Sequence, residues 1–219
     1  LFIKNCLTPK DDIVTVTPDT PLGQALDMLD RKQLHSLPVV DENGSFIGIT
    51  GYSFIFKKLL EQYGHNMNND WIGQKVEDTV HEMTPIRIDG DFEETFPVIV
   101  RYPFVPVVDE DDTTFLGIVK ISDIETVITS TYGHNLPGVR FVMAIIPDVP
   151  HQLEQILDSV KSFDVNIISV VTFDAGDSGA RRILLKISPT EYTAEIQEYL
   201  ESKGFRVLSM KVLPPFETD

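Results

Sequence analysis

Leu37-Pro38-Val39-Val40-Asp41-Glu42, a turn, and then Phe46-Ile47-Gly48-Ile49 is the stretch whose reading decides the fold. It returns further along the chain as Val105-Pro106-Val107-Val108-Asp109-Glu110, a turn with one additional residue, and Phe115-Leu116-Gly117-Ile118. A repeat constrains architecture more firmly than local propensity does. Each copy reads as a β-hairpin, because β-branched runs flank the turn-forming pairs Asn43-Gly44 and Asp111-Asp112.

Working outward from the first hairpin, Leu22, Ala25, Leu26 and Leu29 fall at helical spacing, and Asp19 or Thr20 is expected to cap that helix. Ile13, Val14 and Val16 predict a short strand before it. Helices are expected downstream of the hairpins, over Ser53–Tyr63 and Ser122–Ser130. The helix before the second hairpin, over 92–102, contains Pro97, so it must start or kink there.

Strand, helix, strand, strand, helix, present twice, resembles the CBS domain, whose two copies pack as a pseudo-symmetric pair. The signature is His35-Ser36-Leu37-Pro38-Val39-Val40-Asp41, and Gly117-Ile118-Val119 followed by Ser122-Asp123. The expected domains are 1–68 and 69–133.

The resemblance implies an adenine nucleotide held between the copies as a regulatory ligand, with no catalytic cofactor. In the family an Asp at the start of the last helix takes the ribose hydroxyls, and Asp123 stands at that position; a carboxylate can accept two charge-assisted bonds from a cis-diol. The alternative is a carboxylate that only complements the helix dipole. The family's Thr or Ser three residues earlier is Lys120 here, a cation near the phosphate or else a solvated surface lysine, with Ile121 and Ser122 between them. Arg101 and Arg87 are further phosphate candidates, or members of surface ion pairs. The adenine would lie along the first strands, at Val14, Val16, Ile86 and their neighbours, with Leu37, Pro38, Val105 and Pro106 adding apolar surface.

The first copy departs from that pattern, with Gly51 at the Thr position and Phe54 at the Asp position. Phenylalanine has no acceptor, so this half-site is empty, filled by Phe54 as core, or stacks a base. Gly48-Ile49-Thr50-Gly51-Tyr52-Ser53-Phe54-Ile55 is similar to an altered loop of some bacterial CBS proteins that bind cyclic di-AMP.

After the turn-rich linker 132–138 the pattern changes. Strands are predicted over 139–146, 165–173, 180–187 and 205–212, with helices over 151–163 and 190–203. That is βαββαβ, the ferredoxin-like order. Ile146-Pro147-Asp148-Val149-Pro150, Leu153 and Val165-Asn166-Ile167 resemble the ACT domain, a regulatory unit that often binds amino acids, expected here over 138–213. The resemblance makes Asp148, His151 and Asn166 candidate amino-acid contacts, although His151 stands where the family usually has Gly, and Asp148 and Asn166 also suit capping and turn roles. The whole architecture is similar to acetoin-utilisation-type CBS–ACT proteins. The fold class expected is therefore α/β (α+β), a tandem CBS pair followed by a ferredoxin-like domain.

The 219 residues carry 18 Lys and Arg against 34 Asp and Glu, a formal charge of −16. Such a field repels nucleic acid and anionic membranes, so neither is an expected partner. The lone Cys6 excludes an intrachain disulfide and fits a reducing compartment. No apolar run reaches the roughly 20 residues that cross a bilayer, and the first residues carry no signal-peptide pattern, which reads as a cytoplasmic protein. The five histidines show no metal-ligand spacing, and no nucleophile or phosphate-loop motif is present. The expected function is a non-catalytic sensor, a homodimer acting on a downstream protein; the alternatives are a ligand-free scaffold and an amino-acid sensor.

Overall fold

The computed structural model describes residues 2–64, 69–146, 149–174, 176 and 181–214. They form two compact units, Leu1–Ile124 and Glu125–Asp219. The first unit contains β1 (Leu7–Pro9), α1 (Leu22–Lys32), β2 (Ser36–Val40), β3 (Phe46–Gly51), α2 (Tyr52–Tyr63), β4 (Ile86–Arg87), α3 (Thr95–Ile99), β5 (Phe104–Val108), β6 (Phe115–Lys120) and the start of α4 (Ile121–Thr131).

Both repeats fold as antiparallel hairpins in matching register. Pro38 faces Ile49 and Val39 faces Gly48 in the first; Pro106 faces Ile118 and Val107 faces Gly117 in the second. The two turns touch, with the Phe46 N–H donating to the Thr113 carbonyl (3.1 Å) and the Phe115 N–H to the Gly44 carbonyl (2.9 Å).

Each hairpin also takes an outer neighbour from the segment that precedes the other copy. β1 lies antiparallel to β6, with Thr8 opposite Ile118, and His81 bridges Ile49 of β3 through two 2.9 Å backbone hydrogen bonds. This exchange explains the repeated Gly. A Cβ on Gly117, whose φ is +153°, would stand 2.1 Å from the Thr8 carbonyl oxygen, and one on Gly48 would stand 2.5 Å from that of His81. Only glycine admits a backbone so close.

Three local expectations are corrected. The strand expected over 13–16 is reduced to one parallel bridge, Val16 to Val39, because the Ile13 N–H closes the 3₁₀ turn Lys10–Asp12 on one side and the Thr17 N–H turns to the Thr20 hydroxyl (3.1 Å) on the other. That contact also occupies Thr20, while Asp19 pairs with Lys75; α1 therefore starts after Pro21 with no side-chain cap. In the second copy a single 3₁₀ turn (Phe92–Glu94) precedes α3, so the α-helix begins two residues before Pro97. Pro97 falls in the first turn, where an amide has no intrahelical acceptor to lose.

α1 buries Leu22, Ala25 and Leu29 against Leu37 and Val39 of β2 and Ile55 and Leu59 of α2. A separate cluster of Ile49, Phe104, Phe115 and Ile118 joins the two copies.

The second unit contains β7 (Gly138–Ile145), α5 (Gln152–Lys161), β8 (Ile167–Asp174), β9 (Arg181–Ile187), α6 (Thr193–Ser202) and β10 (Arg206–Leu213). The sheet runs β10-β7-β9-β8, antiparallel throughout, which is the ferredoxin-like topology. Side chains alternate across a strand, so Val139, Phe141, Met143, Ile183, Leu185 and Ile187 share one face and pack on Ile156, Val160, Ile196 and Leu200 of the helices. The fold class read from the sequence is the one observed.

Candidate functional site

The first unit holds a cleft of about 520 Å³ where the end of α1 and the start of β2 meet β5 and β6. α1 stops at Gln33, which takes a left-handed conformation (φ 53°) and returns its N–H to the Asp30 carbonyl (3.1 Å). The chain then runs through Leu34, His35 and Ser36 along the cleft wall. Ile13, Val14, Leu37, Pro38, Phe104 and Ile118 supply an apolar lining, while Lys32 and Lys120 bring two cations against one carboxylate, Asp12. Such a volume, mostly apolar with a few polar groups, is what a nucleotide-sized ligand requires.

Of the residues singled out from the sequence, the cleft brings together Val14, Leu37, Pro38 and Lys120. Asp123 is half-buried in the first turn of α4, and its Oδ2 accepts the Lys120 backbone N–H at 3.2 Å. It therefore acts as a helix-start acceptor. One such bond does not exhaust a carboxylate, which has about four acceptor sites. Ile121 and Ser122 lie beside it, exposed.

Other candidates lie away from the wall. Val16, Ile86, Val105 and Pro106 are buried within the hairpin layers. Arg87 forks onto Asp89 with two 2.8 Å bonds, which raise the guanidinium's affinity for its proton and hold the Asp89 carboxyl below the usual range. Arg101 is exposed after α3. Gln33, Phe104 and Ile118 were not singled out as contacts. Phe104 and Ile118 reach the cleft only because the two copies pack together, which the sequence of one copy does not display.

The opposite half differs. Phe54 occupies the place equivalent to Asp123 and stacks on His81 (centroids 5.0 Å apart, planes at 19°), and the His81 Nε2 lies 3.0 Å from the Tyr102 hydroxyl. Phe54 also packs on the cluster that joins the copies. At Gly51, the counterpart of Lys120, a Cβ would meet the His35 carbonyl oxygen at 2.4 Å, so no side chain fits there.

In the second unit Asp148 lies outside the described residues. His151 has φ 70°, the backbone conformation glycine favours, and its Nδ1 lies 2.8 Å from Glu154 Oε2. Asn166 is exposed; its N–H donates to the Ser188 hydroxyl (3.1 Å) and its carbonyl accepts the Ser188 N–H (2.8 Å). Among the described residues, no group of three or more His, Cys, Asp and Glu is arranged to hold a metal ion, and no helix is long and apolar enough to cross a membrane.

Comparison with known proteins agrees with this geometry. Residues 3–51 match the CBS domain family. Over 116 residues the chain is 27% identical to the inosine-5'-monophosphate dehydrogenase of Methanocaldococcus jannaschii, covering 52% of this chain and 21% of that enzyme, so it spans about a fifth of that relative's length. Among solved structures, the Listeria monocytogenes CbpB protein in complex with c-di-AMP is similar at a TM-score of 0.51 and 25% identity, covering 60% of this chain and 97% of that one. A CBS domain protein from Streptococcus pneumoniae TIGR4 is similar at a TM-score of 0.51 and 20% identity, covering 57% and 85%. Residues 3–51 thus match a CBS domain, and the first unit has the fold of these CBS domain proteins.

Proposed function

We propose that the chain is a non-catalytic sensor that binds an adenine nucleotide in the cleft of its first unit. The observation that carries this reading is the cleft itself: an apolar wall from both copies ends at Lys120, and the Lys120 N–H is bonded to Asp123. The base would lie between Ile13 and Val14 on one side and Phe104 and Ile118 on the other. The ribose diol would meet the free acceptor sites of Asp123, and the phosphates would meet Lys120 and Lys32, with charge-assisted bonds providing most of the polar affinity. The c-di-AMP bound by the Listeria relative supports an adenine ligand and keeps the cyclic dinucleotide among the candidates.

The reading extends to CBS copies over 1–68 and 69–133, an ACT-like unit over 138–213, a cytoplasmic homodimer, and a downstream protein whose affinity the ligand changes. A ligand shifts such an equilibrium only through different affinity for two states, so the partner must alter nucleotide affinity by the same factor. Thermal unfolding with AMP, ADP, ATP, S-adenosylmethionine, cyclic di-AMP and the amino acids tests it. At about 100 times its dissociation constant the true ligand adds about 2.7 kcal/mol. Stabilisation by one adenine compound supports the sensor; none by any compound leaves the scaffold, the reading that Asp123's helix-start bond and the Phe54 stack favour. Stabilisation by an amino acid alone would move the signal to the second unit.

A further inference from the structure

Three cations stand directly opposite one another across adjacent strands of the second unit: Lys211 on β10, Arg140 on β7 and Lys186 on β9. Opposed residues share a sheet face, and this is the face turned away from Val139, Phe141 and Met143. Like charges in that relation repel. No carboxylate among the described residues forms an ion pair with any of the three.

Burial sharpens the conflict. Lys186 is 0% exposed, and its Nζ donates to the carbonyls of Gly133 (2.6 Å) and Leu136 (2.5 Å), leaving one ammonium hydrogen. Arg140 is half-buried, with its Nε shielded from solvent and without a hydrogen-bond partner. Beside them lies a cavity of about 170 Å³, also lined by Tyr132 and His134. Burial, and then the neighbouring Arg140, hold the Lys186 ammonium below the usual lysine range. A shielded donor and an uncompensated pair of cations are costly unless an anion completes them. In a chain of formal charge −16 such a concentration of positive charge runs against the general field.

We propose that this cavity is an oxyanion site: Arg140 and Lys186 hold one phosphate or carboxylate group, with Tyr132 on the same wall. The volume suits a single such group, since pockets for nucleotide-sized ligands run from about 300 Å³ upward. The site is thus separate from the cleft of the first unit and does not depend on its reading.

The test is thermal unfolding of the full chain in sodium phosphate and in sodium acetate, against sodium chloride at equal ionic strength. Lys186→Met would remove two backbone contacts along with the charge, so the variant is Arg140→Gln, with the exposed Lys161→Gln on the same unit as the control of equal charge change. The expected result is a saturable rise in midpoint with one or both anions, an apparent affinity at least about tenfold weaker in Arg140→Gln, and no change in Lys161→Gln. Acetate acting alone assigns a carboxylate and phosphate acting alone a phosphate. No rise above chloride, or an equal rise in Arg140→Gln, as general salting-out would give, overturns the site.

Discussion

The two hairpin copies of the first unit share register, turn contacts and exchanged outer segments, yet they differ where a ligand would be held. One half presents Lys120 on the wall of a cleft, its N–H bonded to Asp123, and the other presents Gly51 and the stacked rings of Phe54, His81 and Tyr102. The two copies therefore share the residues that let them clasp each other, Gly48 and Gly117 above all, and differ at the start of the last helix. The ring stack supplies packing where the other half supplies charge. The pair is expected to bind asymmetrically.

The largest effect should come from the shared part. Gly117→Ala forces a Cβ onto the Thr8 carbonyl and should cost about 3 kcal/mol or more, whereas Gly44→Ala, at a left-handed but open turn, should cost about 1 kcal/mol. Chemical denaturation of the two variants compares them directly. Equal losses would mean that the strand exchange does not depend on the repeated glycine.

Next come the residues that distinguish the halves. Asp123→Ala should weaken nucleotide binding by about 2 kcal/mol, roughly thirtyfold, and cost about 1 kcal/mol of stability with the helix-start bond. Phe54→Ala should do the reverse, lowering stability by about 2 kcal/mol while nucleotide affinity stays within twofold, because it opens the stack against His81. Calorimetric titration and denaturation of both variants decide the matter; matched losses of affinity would make the two half-sites equivalent. Tyr102→Phe removes only the bond to His81 and should cost about 1 kcal/mol.

The smallest effect lies in the turns. Asp111 accepts the Thr113 and Thr114 N–H groups and the Thr114 hydroxyl, and the last of these leads in lowering its pKa from 3.8 to about 2. A carboxylate with a depressed folded-state pKa stabilises above 3.8, and that contribution fades as pH falls through about 2. Asp111→Asn should therefore change stability slightly at neutral pH and flatten the acid limb, which acid titration followed by circular dichroism would reveal.

The fold was legible because its signals were periodic or repeated: two hairpins in the same register, then β strands and amphipathic helices in the βαββαβ order. The misread elements were short and contextual. No propensity reveals that Thr20 would accept from Thr17 and leave α1 uncapped, or that Pro97 would be placed in a first turn prepared by a 3₁₀ segment. The cleft was legible on the side written in one copy, at Val14, Leu37, Pro38 and Lys120, and not on the side contributed by packing, at Phe104 and Ile118. Arg87 had the right charge but found Asp89 two residues away. The row Lys211, Arg140, Lys186 became visible only with sheet register, since the three residues lie on different strands.

Calorimetric titration of the full chain with AMP and with cyclic di-AMP, repeated on Asp123→Ala, tests the central claim most directly. The account predicts saturable binding of one of them, at one Asp123-dependent site per chain, lost or weakened at least tenfold in the variant. Binding of equal affinity in wild type and Asp123→Ala, or no binding of either compound, would contradict it.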